Sequence, residues 1–391
     1  MPQPPDTSHL IQCYARQEVM FVRGEGCYLT DDRGRRYLDA FAGVAVSALG
    51  HGHPALAEAI CRQARSLLHV SNHYFIEGQE ELARKLVGHA FPSRVFFCNS
   101  GAEANEGAYK LVRLWGNVAH GGRKRRILAF EGSFHGRTIG ALSLTANPGY
   151  REPFEPLPAA EFLPFGDQSA FQKAMGDDVA GVFLEPIQGE GGVRVPPPGF
   201  LKAVRDACTR HGALLVADEV QTGMGRTGRF FGHQHEGTVP DVMSLAKGIA
   251  GGLPLGALLA KDRVAKVFTP GTHASTFGGN PVTTAAASAV VDLLEGGLLD
   301  HVRRVAEVLQ ARLAALPPTT PRASGERGLG LLRGVLLGED IAPKVVAKAR
   351  ELGLLVNAIG DRVLRLAPPL TVSEREIQEA SALLAHAIAQ A

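Results

Sequence analysis

Two stretches decide the fold: Leu214-Leu215-Val216-Ala217-Asp218-Glu219-Val220-Gln221 and Asp241-Val242-Met243-Ser244-Leu245-Ala246-Lys247-Gly248. In each, a short apolar run ends in a polar residue, Asp218 in the first and Lys247 in the second. Such runs are typical of buried strands in an α/β sheet, where ligands bind beyond the carboxyl ends of the strands. We therefore expect Asp218 and Lys247 to face one ligand.

The chemistry of this pair suits pyridoxal phosphate. The Lys247 amine can bond covalently to the cofactor aldehyde, and the Asp218 carboxylate can keep the pyridine nitrogen protonated so that the ring accepts electrons. Each residue alone has an ordinary alternative, because an aspartate after a strand is often a helix N-cap and a lysine there is usually solvated. Only agreement with further segments can decide between these interpretations.

The composition is that of a globular protein and allows an ordinary enzyme. The chain has 391 residues, 45% of them hydrophobic, and its 41 basic residues nearly balance 39 acidic ones. This length predicts two or three domains, and the balanced charge gives no reason to expect nucleic acid as a partner. The cysteines are odd in number and scattered, without a CxxC pair, so we expect neither disulfides nor a metal site: Cys13, Cys27, Cys61, Cys98 and Cys208.

The start of the chain lacks a basic segment followed by an apolar one, and no apolar run approaches the length of a membrane span. We therefore expect a cytoplasmic protein without a membrane partner. Through the middle of the chain, apolar runs alternate with helical stretches, which predicts a mostly parallel sheet. The predicted strands of this sheet are 95–98, 127–130, 179–184, 214–217 and 242–245.

The two ends of the chain have other patterns. A hairpin is predicted from strands 20–23 and 37–40, which flank the turn-forming cluster 30–34, and a helix is predicted from 54 to 68. Two further helices, 281–294 and 298–316, are predicted to be separated by Gly296-Gly297. The linker 317–321 then leads into a smaller α+β region, with strands at 331–337, 354–357 and 363–366 and helices at 343–352 and 373–389.

A cradle for phosphate is predicted at Asn99-Ser100-Gly101-Ala102-Glu103-Ala104-Asn105, which follows a strand and opens a helix. The Ser100 hydroxyl and the free N–H groups of Gly101 and Ala102 would meet an anion at the positive end of the helix dipole. A turn of this kind is a weak signal alone. It lacks the P-loop lysine and the G-x-G-x-x-G spacing, which argues against a nucleotide-binding protein.

Ligand contacts are also predicted in Gly132-Ser133-Phe134-His135-Gly136-Arg137-Thr138. Glycines on both sides leave room for a ligand, Phe134 can stack on an aromatic ring, and Arg137 offers a planar fork to a carboxylate. The alternatives are core packing for Phe134 and a surface ion pair for Arg137.

Seven segments together resemble the class III pyridoxal-phosphate aminotransferases, and within that class the acetylornithine aminotransferases. They occur in the family's order over nearly the whole chain, at 99–105, 134–138, 185–192, 218–223, 245–248, 275–281 and 364–370. The resemblance implies fold type I: a large domain with a mostly parallel seven-stranded sheet, and a smaller α+β domain formed from both termini. We place the boundaries at 1–55, 56–297 and 298–391.

The resemblance also implies roles around the cofactor. Lys247 would bind it covalently and then carry a proton, which requires an amine less basic than a free lysine. Asp218 would pair with the pyridine nitrogen, Gln221 with the phenolic oxygen, and Phe134 would cover one face of the ring. The remaining cofactor-binding residues would be Ser100, Gly101, Ala102, Glu219, Val220 and Thr276, the last reaching the phosphate of the partner subunit in a homodimer.

Two arginines would recognise the substrates. By resemblance, Arg365 takes the α-carboxylate of glutamate or 2-oxoglutarate, and Arg137 takes the other carboxylate and that of the amino donor. Glu190 would act as a gate that pairs with Arg365 while the donor reacts, although it could instead cap a glycine-rich loop. Ser275 would lie near the donor. Glu185, Glu219 and His135 would contact the residues that bind the ligands rather than the substrates themselves.

The reaction implied is transfer of the δ-amino group of N2-acetylornithine to 2-oxoglutarate, as in arginine biosynthesis. His135 stands where ornithine-specific relatives typically have Trp, which favours an acylated donor. Succinylornithine, acetyllysine, succinyl-diaminopimelate, ornithine and 4-aminobutyrate remain as alternative donors. A catalytically silent binding or regulatory protein of the same fold is the alternative from another class.

Overall fold

The structure, a computed structural model, describes residues 8–391. The sequence prediction made for the first residues therefore lies outside the described residues. Within 8–391 the strands are β1 Phe21–Glu25, β2 Tyr28–Asp31, β3 Arg36–Asp39, β4 Arg94–Cys98, β5 Arg126–Phe130, β6 Glu161–Leu163, β7 Val179–Leu184, β8 Leu214–Asp218, β9 Val242–Leu245, β10 Gly256–Ala260, β11 Ala323–Leu329, β12 Leu332–Leu337, β13 Leu354–Leu355, β14 Asn357–Ile359 and β15 Val363–Leu366.

The α-helices lie between and after these strands. In chain order they are α1 Ala42–Ala45, α2 Pro54–Ser66, α3 Gln79–His89, α4 Gly101–Val118, α5 Ile139–Ser143, α6 Pro148–Arg151, α7 Gln168–Ala174, α8 Phe200–His211, α9 Asp262–Ala265, α10 Pro281–Leu293, α11 Leu299–Ala314, α12 Leu316–Thr319, α13 Ala342–Glu351 and α14 Glu374–Gln390. A short 3₁₀ turn, Lys247–Ala250, follows β9 directly.

The large sheet has seven strands in the order β4-β10-β9-β8-β7-β5-β6. Strands β5 to β9 pair in parallel, and β10 is antiparallel to both of its neighbours. Every residue of β7, β8, β9 and β10 is buried, as expected when helices cover both faces of a sheet. The predicted mostly parallel sheet is confirmed, together with its five predicted strands; β6 and β10 were missed.

The N-terminal prediction was wrong in its pairing. The predicted strands near 20–23 and 37–40 do not pair with each other, because β2 lies between β1 and β3 in an antiparallel meander. The turn-forming cluster 30–34 joins β2 to β3. The two-residue connection at Gly26, whose φ is +55°, allows the additional reversal before Tyr28.

Near the C-terminus the two predicted helices are confirmed as α10 and α11. A π-helical segment, Leu294–Leu298, joins them, and Gly297 within it has a non-helical φ of +112°, so the chain kinks at the predicted pair of glycines. The predicted linker 317–321 begins inside α12. The run Pro281–Thr319 is long and apolar enough to cross a membrane by length and composition alone. Core helices share that property, and α10 buries Ala286, Ala287 and Val290.

The remaining strands form two four-stranded sheets, β1-β2-β3-β13 and β11-β12-β15-β14. In the first, β13 from the C-terminal region pairs in parallel with β3 from the N-terminal region. This pairing brings the two ends of the chain into one sheet, as a composite small domain requires. The domain boundaries themselves stay a prediction.

Candidate active site

A cavity of about 460 Å³ opens beyond the carboxyl ends of β8 and β9. It collects residues from five of the seven motifs, because the loops that follow parallel strands meet at one edge of the sheet. The predicted site residues that line it are Ser100, Gly101, Ala102, Phe134, Arg137, Glu190, Asp218, Val220, Gln221 and Lys247, together with His135 and Glu185. Glu219, Ser275, Thr276 and Arg365 are not part of this lining.

The phosphate cradle lies at the start of α4. Ser100 is the N-cap, and its hydroxyl accepts a hydrogen bond from the Glu103 backbone N–H at 3.1 Å. The N–H groups of Gly101 and Ala102 have no partner within the helix and lie at the positive end of its dipole. A Cβ at Gly101 would lie 2.8 Å from the Val220 side chain, so only glycine lets this turn approach the loop after β8.

Asp218 is buried and firmly oriented at the end of β8. Its Oδ2 accepts hydrogen bonds from Asn105 Nδ2 and from His135 Nδ1, both at 2.7 Å. Its Oδ1 accepts from the Val220 backbone N–H at 3.0 Å, so Asp218 also stabilises the turn that follows it. Asn105 was not assigned a role from the sequence, although it is the last residue of the phosphate motif.

His135 links Asp218 to the rest of the buried network. Burial alone would lower the pKa of His135, but the hydrogen bond to Asp218 and the charge of Asp218 outweigh burial and raise it. Nearby, burial raises the pKa of Glu185 to about 8, since Asp218 opposes a second negative charge while His135 only partly offsets it. Glu185 accepts hydrogen bonds from the backbone N–H groups of Phe134 and Gly189, which ties two glycine-rich loops together.

Lys247 begins the turn after β9 in a conformation that side chains rarely adopt, with a φ of +49°. Strain of this kind persists only where the surrounding fold imposes it, and it is concentrated at functional sites. Burial lowers the pKa of the Lys247 amine, although Glu190, Asp218 and Glu185 act in the opposite direction. A less basic amine in a cavity is what covalent bonding to an aldehyde requires.

The gate residues are Glu190, which lines the cavity, and Arg365 behind it. Arg365 is on β15, is almost fully buried, and forms an ion pair with Glu190 through Nη1 and Oε1 at 2.5 Å. The same Nη1 donates to Gln221 Oε1 at 3.0 Å. Burial would raise the pKa of Glu190, but the Arg365 cation, with Lys247 and Gln221, lowers it.

Arg137 is exposed at the cavity wall and has no ion pair among residues 8–391. Its guanidinium carbon lies 3.6 Å from the centroid of the Tyr150 ring, and 5.7 Å from that of Phe134. The surface ion pair considered as an alternative is therefore absent from the described residues. The Tyr150 contact, worth about 1 kcal/mol, orients the fork while leaving its charge available; nothing in the sequence pattern signalled Tyr150.

Three predicted site residues lie elsewhere. The Glu219 carboxylate is turned away from the cavity and binds the backbone N–H groups of Gly232 and His233, at 2.8 and 2.7 Å, so its side chain supports a loop. Ser275 Oγ accepts from Asn99 Nδ2 and from the Gly278 N–H, which places it beside the phosphate motif. Thr276 is exposed.

Together these residues fit pyridoxal phosphate: an anion cradle, a fixed carboxylate and a weakly basic amine face one cavity, with Phe134 at its wall. The fold and the site are those of a pyridoxal-phosphate enzyme of fold type I. Residues 13–388 match the family described as Aminotransferase class-III, and the chain belongs to this family. Its members depend on pyridoxal phosphate.

The chain is 50% identical to an acetylornithine aminotransferase from Mycolicibacterium smegmatis, over 93% of this chain and 92% of the relative. A crystal structure of N-acetylornithine aminotransferase from Stenotrophomonas maltophilia is similar with a TM-score of 0.84 and 39% identity, covering 96% of this chain and 97% of that one. The ornithine aminotransferase of Toxoplasma gondii reaches a TM-score of 0.93 at 33% identity, covering 97% and 92%. The fold alone therefore does not separate the two donors.

Proposed function

We propose that this aminotransferase moves the δ-amino group of N2-acetylornithine to 2-oxoglutarate, giving N-acetylglutamate 5-semialdehyde and glutamate, in arginine biosynthesis. The observation that carries the proposal is the Arg365–Glu190 ion pair at 2.5 Å, whose Glu190 lines the same cavity as Lys247. Names of relatives at up to 50% identity support it.

The ion pair answers a physical problem. One cavity has to present a distal amine in one half-reaction and an α-amine, with its neighbouring carboxylate, in the other. With Glu190 on Arg365, only Arg137 is free for a carboxylate, which suits a donor whose single carboxylate is remote from the reacting amine. When Glu190 leaves, Arg365 and Arg137 can hold the two carboxylates of glutamate, as bidentate partners.

Each residue then has a definite task. The bound cofactor supplies the electron sink for the reaction. Lys247 holds the cofactor covalently and, once released, moves the proton at the reacting carbon, for which its lowered pKa suits it. Asp218, oriented by Asn105 and His135, would hold the ring nitrogen, Gln221 the phenolic oxygen, and Ser100, Gly101 and Ala102 the phosphate. Ser275 would lie near the donor.

A comparison of amino donors tests the donor assignment. Loss of the acetyl group exposes a second, charged α-amine, whose desolvation costs several kcal/mol unless it is paired. We expect kcat/KM for acetylornithine to exceed that for ornithine by about a hundredfold, at about 1.4 kcal/mol per factor of ten. Single-turnover absorbance of the cofactor with each donor measures this ratio. Comparable values for ornithine or 4-aminobutyrate would favour those donors, and no reaction with any donor would favour a silent protein.

We further propose a homodimer with shared active sites, and a cytoplasmic location. Thr276 is exposed and does not line its own cavity, and the neighbouring Phe277 is 61% exposed. Asn72 joins this loop to a second exposed apolar segment by donating to the carbonyl oxygens of Ser275 and Gly278, at 3.1 and 3.0 Å. Tyr74 and Phe75, close to Asn72 in the chain, are also exposed, and exposed large apolar side chains on two joined segments favour an interface here.

Subunit mixing tests the shared site. Lys247→Ala subunits and subunits with Thr276→Trp, a bulky replacement, should each be inactive as homodimers. A mixed dimer combines both lesions in one site and leaves the other intact, so activity should return to about one good site per mixed dimer. If exchange is verified by mass and no activity returns, Thr276 serves its own subunit; a fully active monomer in sedimentation would contradict the dimer.

A further inference from the structure

The guanidinium group of Arg365 is held by three side chains, of which only one is charged. Its Nε donates to Asn357 Oδ1 at 2.9 Å, and its Nη1 donates to Gln221 Oε1 at 3.0 Å and to Glu190 Oε1 at 2.5 Å. Only 2% of the Arg365 side chain is exposed. Two neutral acceptors therefore fix the position of this cation, while Glu190 is its one ion-pair partner among residues 8–391.

Strand register places Asn357 where it can accept the hydrogen bond from Arg365 Nε. In the antiparallel pair β14 and β15, Asn357 is directly opposite Arg365, so that both side chains project from the same face of the sheet. On the other side of β15 the residue opposite Arg365 is Gly334, which contributes no side chain. Asn357 Nδ2 donates to the Ala358 carbonyl oxygen at 2.9 Å, which leaves Oδ1 as the acceptor for Arg365.

Glu190 has the opposite properties. A third of its side chain, 33%, is exposed, and it lies in the run Gly189-Glu190-Gly191-Gly192. Gly192 has a φ of +96°, which glycine adopts without strain. The more exposed Glu190 carboxylate can therefore exchange for another carboxylate on Arg365, whereas Arg365, in a strand and bonded on two sides, cannot follow it.

We propose that Asn357 is a positioning residue that fixes Arg365 without neutralising it, so that the cation is available to one carboxylate at a time. The two competing carboxylates are Glu190 and, if the proposed function holds, the α-carboxylate of glutamate. A charged acceptor at position 357 would form a permanent ion pair with Arg365 and weaken its attraction for either. A neutral acceptor holds the Arg365 guanidinium in place and leaves its full positive charge available to either carboxylate.

The substitution Asn357→Asp tests this, because it preserves shape and the acceptor for Nε but adds a negative charge, at the loss of the hydrogen bond to the Ala358 carbonyl oxygen. Calorimetry with two unreactive ligands separates the effects: glutarate, which has both carboxylates of glutamate, and N2-acetylnorvaline, which is the donor without its δ-amine. We expect glutarate to bind about tenfold more weakly to the variant, while N2-acetylnorvaline changes less than about threefold. Arg365→Ala should also weaken glutarate selectively, and Asn117→Asp, on the exposed end of α4, should change neither ligand.

Single-turnover kinetics give a second measure. In Asn357→Asp, the glutamate concentration for half-maximal rate should rise about tenfold, with the limiting rate within about threefold. If that variant does not fold, Asn357→Ser, which keeps a neutral acceptor, should bind glutarate within about threefold of the wild type, and Asn357→Leu, which has none, about tenfold more weakly.

Equal weakening of both ligands, or unchanged glutarate affinity in Asn357→Asp and Asn357→Leu, would overturn the proposal. Failure of the proposed function is distinguishable, because it appears as absent turnover of acetylornithine by the wild type. The glutarate affinities test the positioning role of Asn357 whether or not acetylornithine is the donor.

Discussion

Asp218 and Asp241 are both buried aspartates, but Asp218 lies at the carboxyl end of β8 and Asp241 at the amino end of the neighbouring parallel strand β9. Asp218 ends β8 and opens on the cavity, where its side-chain partners are Asn105 and His135. Asp241 immediately precedes β9 and binds three cations: Arg205 at 2.6 Å, Arg263 at 2.7 Å and Lys261 at 3.2 Å. It also accepts from the Leu215 backbone N–H at 3.0 Å.

The difference shows that burial and residue type do not identify a functional carboxylate. Asp241 is paired with three cationic side chains, so its negative charge is already compensated and cannot act on a ligand. Asp218 is oriented by a neutral amide and a histidine, so that its charge can act on a group in the cavity. The direction of the strand decides which of its two ends faces the ligand.

The largest effect expected from this comparison is on turnover by Asp218→Asn. The variant keeps the shape of the site but loses the charge that would hold the ring nitrogen protonated. A loss of about 4 kcal/mol of transition-state stabilisation lowers kcat by about a thousandfold. Steady-state rates at saturating cofactor measure it, and near-normal turnover would show that Asp218 only stabilises its turn.

Asp241→Asn should lower stability rather than turnover. Removing the buried carboxylate from the partly buried Arg205 and Lys261, and from the exposed Arg263, should lower the free energy of unfolding by about 3 kcal/mol, with kcat per folded molecule within about twofold. The urea midpoint measures this. Asp262→Asn, which breaks exposed ion pairs with Arg94 and Lys266, is the control and should cost less than about 1 kcal/mol. If the two variants are equally stable, the Asp241 cluster does not stabilise the fold.

The smallest effects are on the pH dependence of stability. Burial alone would raise the pKa of Asp241, but Arg205 and Lys261 lower it, so its contribution is full above the unfolded pKa of about 3.9. It is lost as pH falls through the folded pKa. His135 has a raised pKa, so its contribution is full below about 6.5 and is lost as pH rises through the folded pKa.

Urea unfolding over a pH series should show both trends. The stability difference between the wild type and Asp241→Asn should shrink below about pH 4, and that between the wild type and His135→Gln should shrink above about pH 6.5. Differences independent of pH would mean that packing, rather than charge, distinguishes the two aspartates.

Local patterns predicted most of the large domain, because strands buried on both faces are nearly continuous apolar runs and are bounded by polar or glycine residues. The run 179–184 and the run 242–245 were predicted to the residue. Strand β6, with three residues at the sheet edge, carries too short a pattern to be recognised. The break between α10 and α11 was predicted from Gly296-Gly297, because glycine has a low helix propensity, and Gly297 is non-helical there, with a φ of +112°.

By itself, the sequence determined the family, the fold class and which side chains can supply an anion cradle, a carboxylate and an amine, because these depend on residue type and spacing along the chain. Only the tertiary structure decided which groups share a hydrogen bond across long separations. It placed Asn105 and His135 on Asp218, Tyr150 under Arg137, and Asn357 beside Arg365. Such contacts depend on strand order and register, which are set by the packing of the whole core rather than by any local stretch.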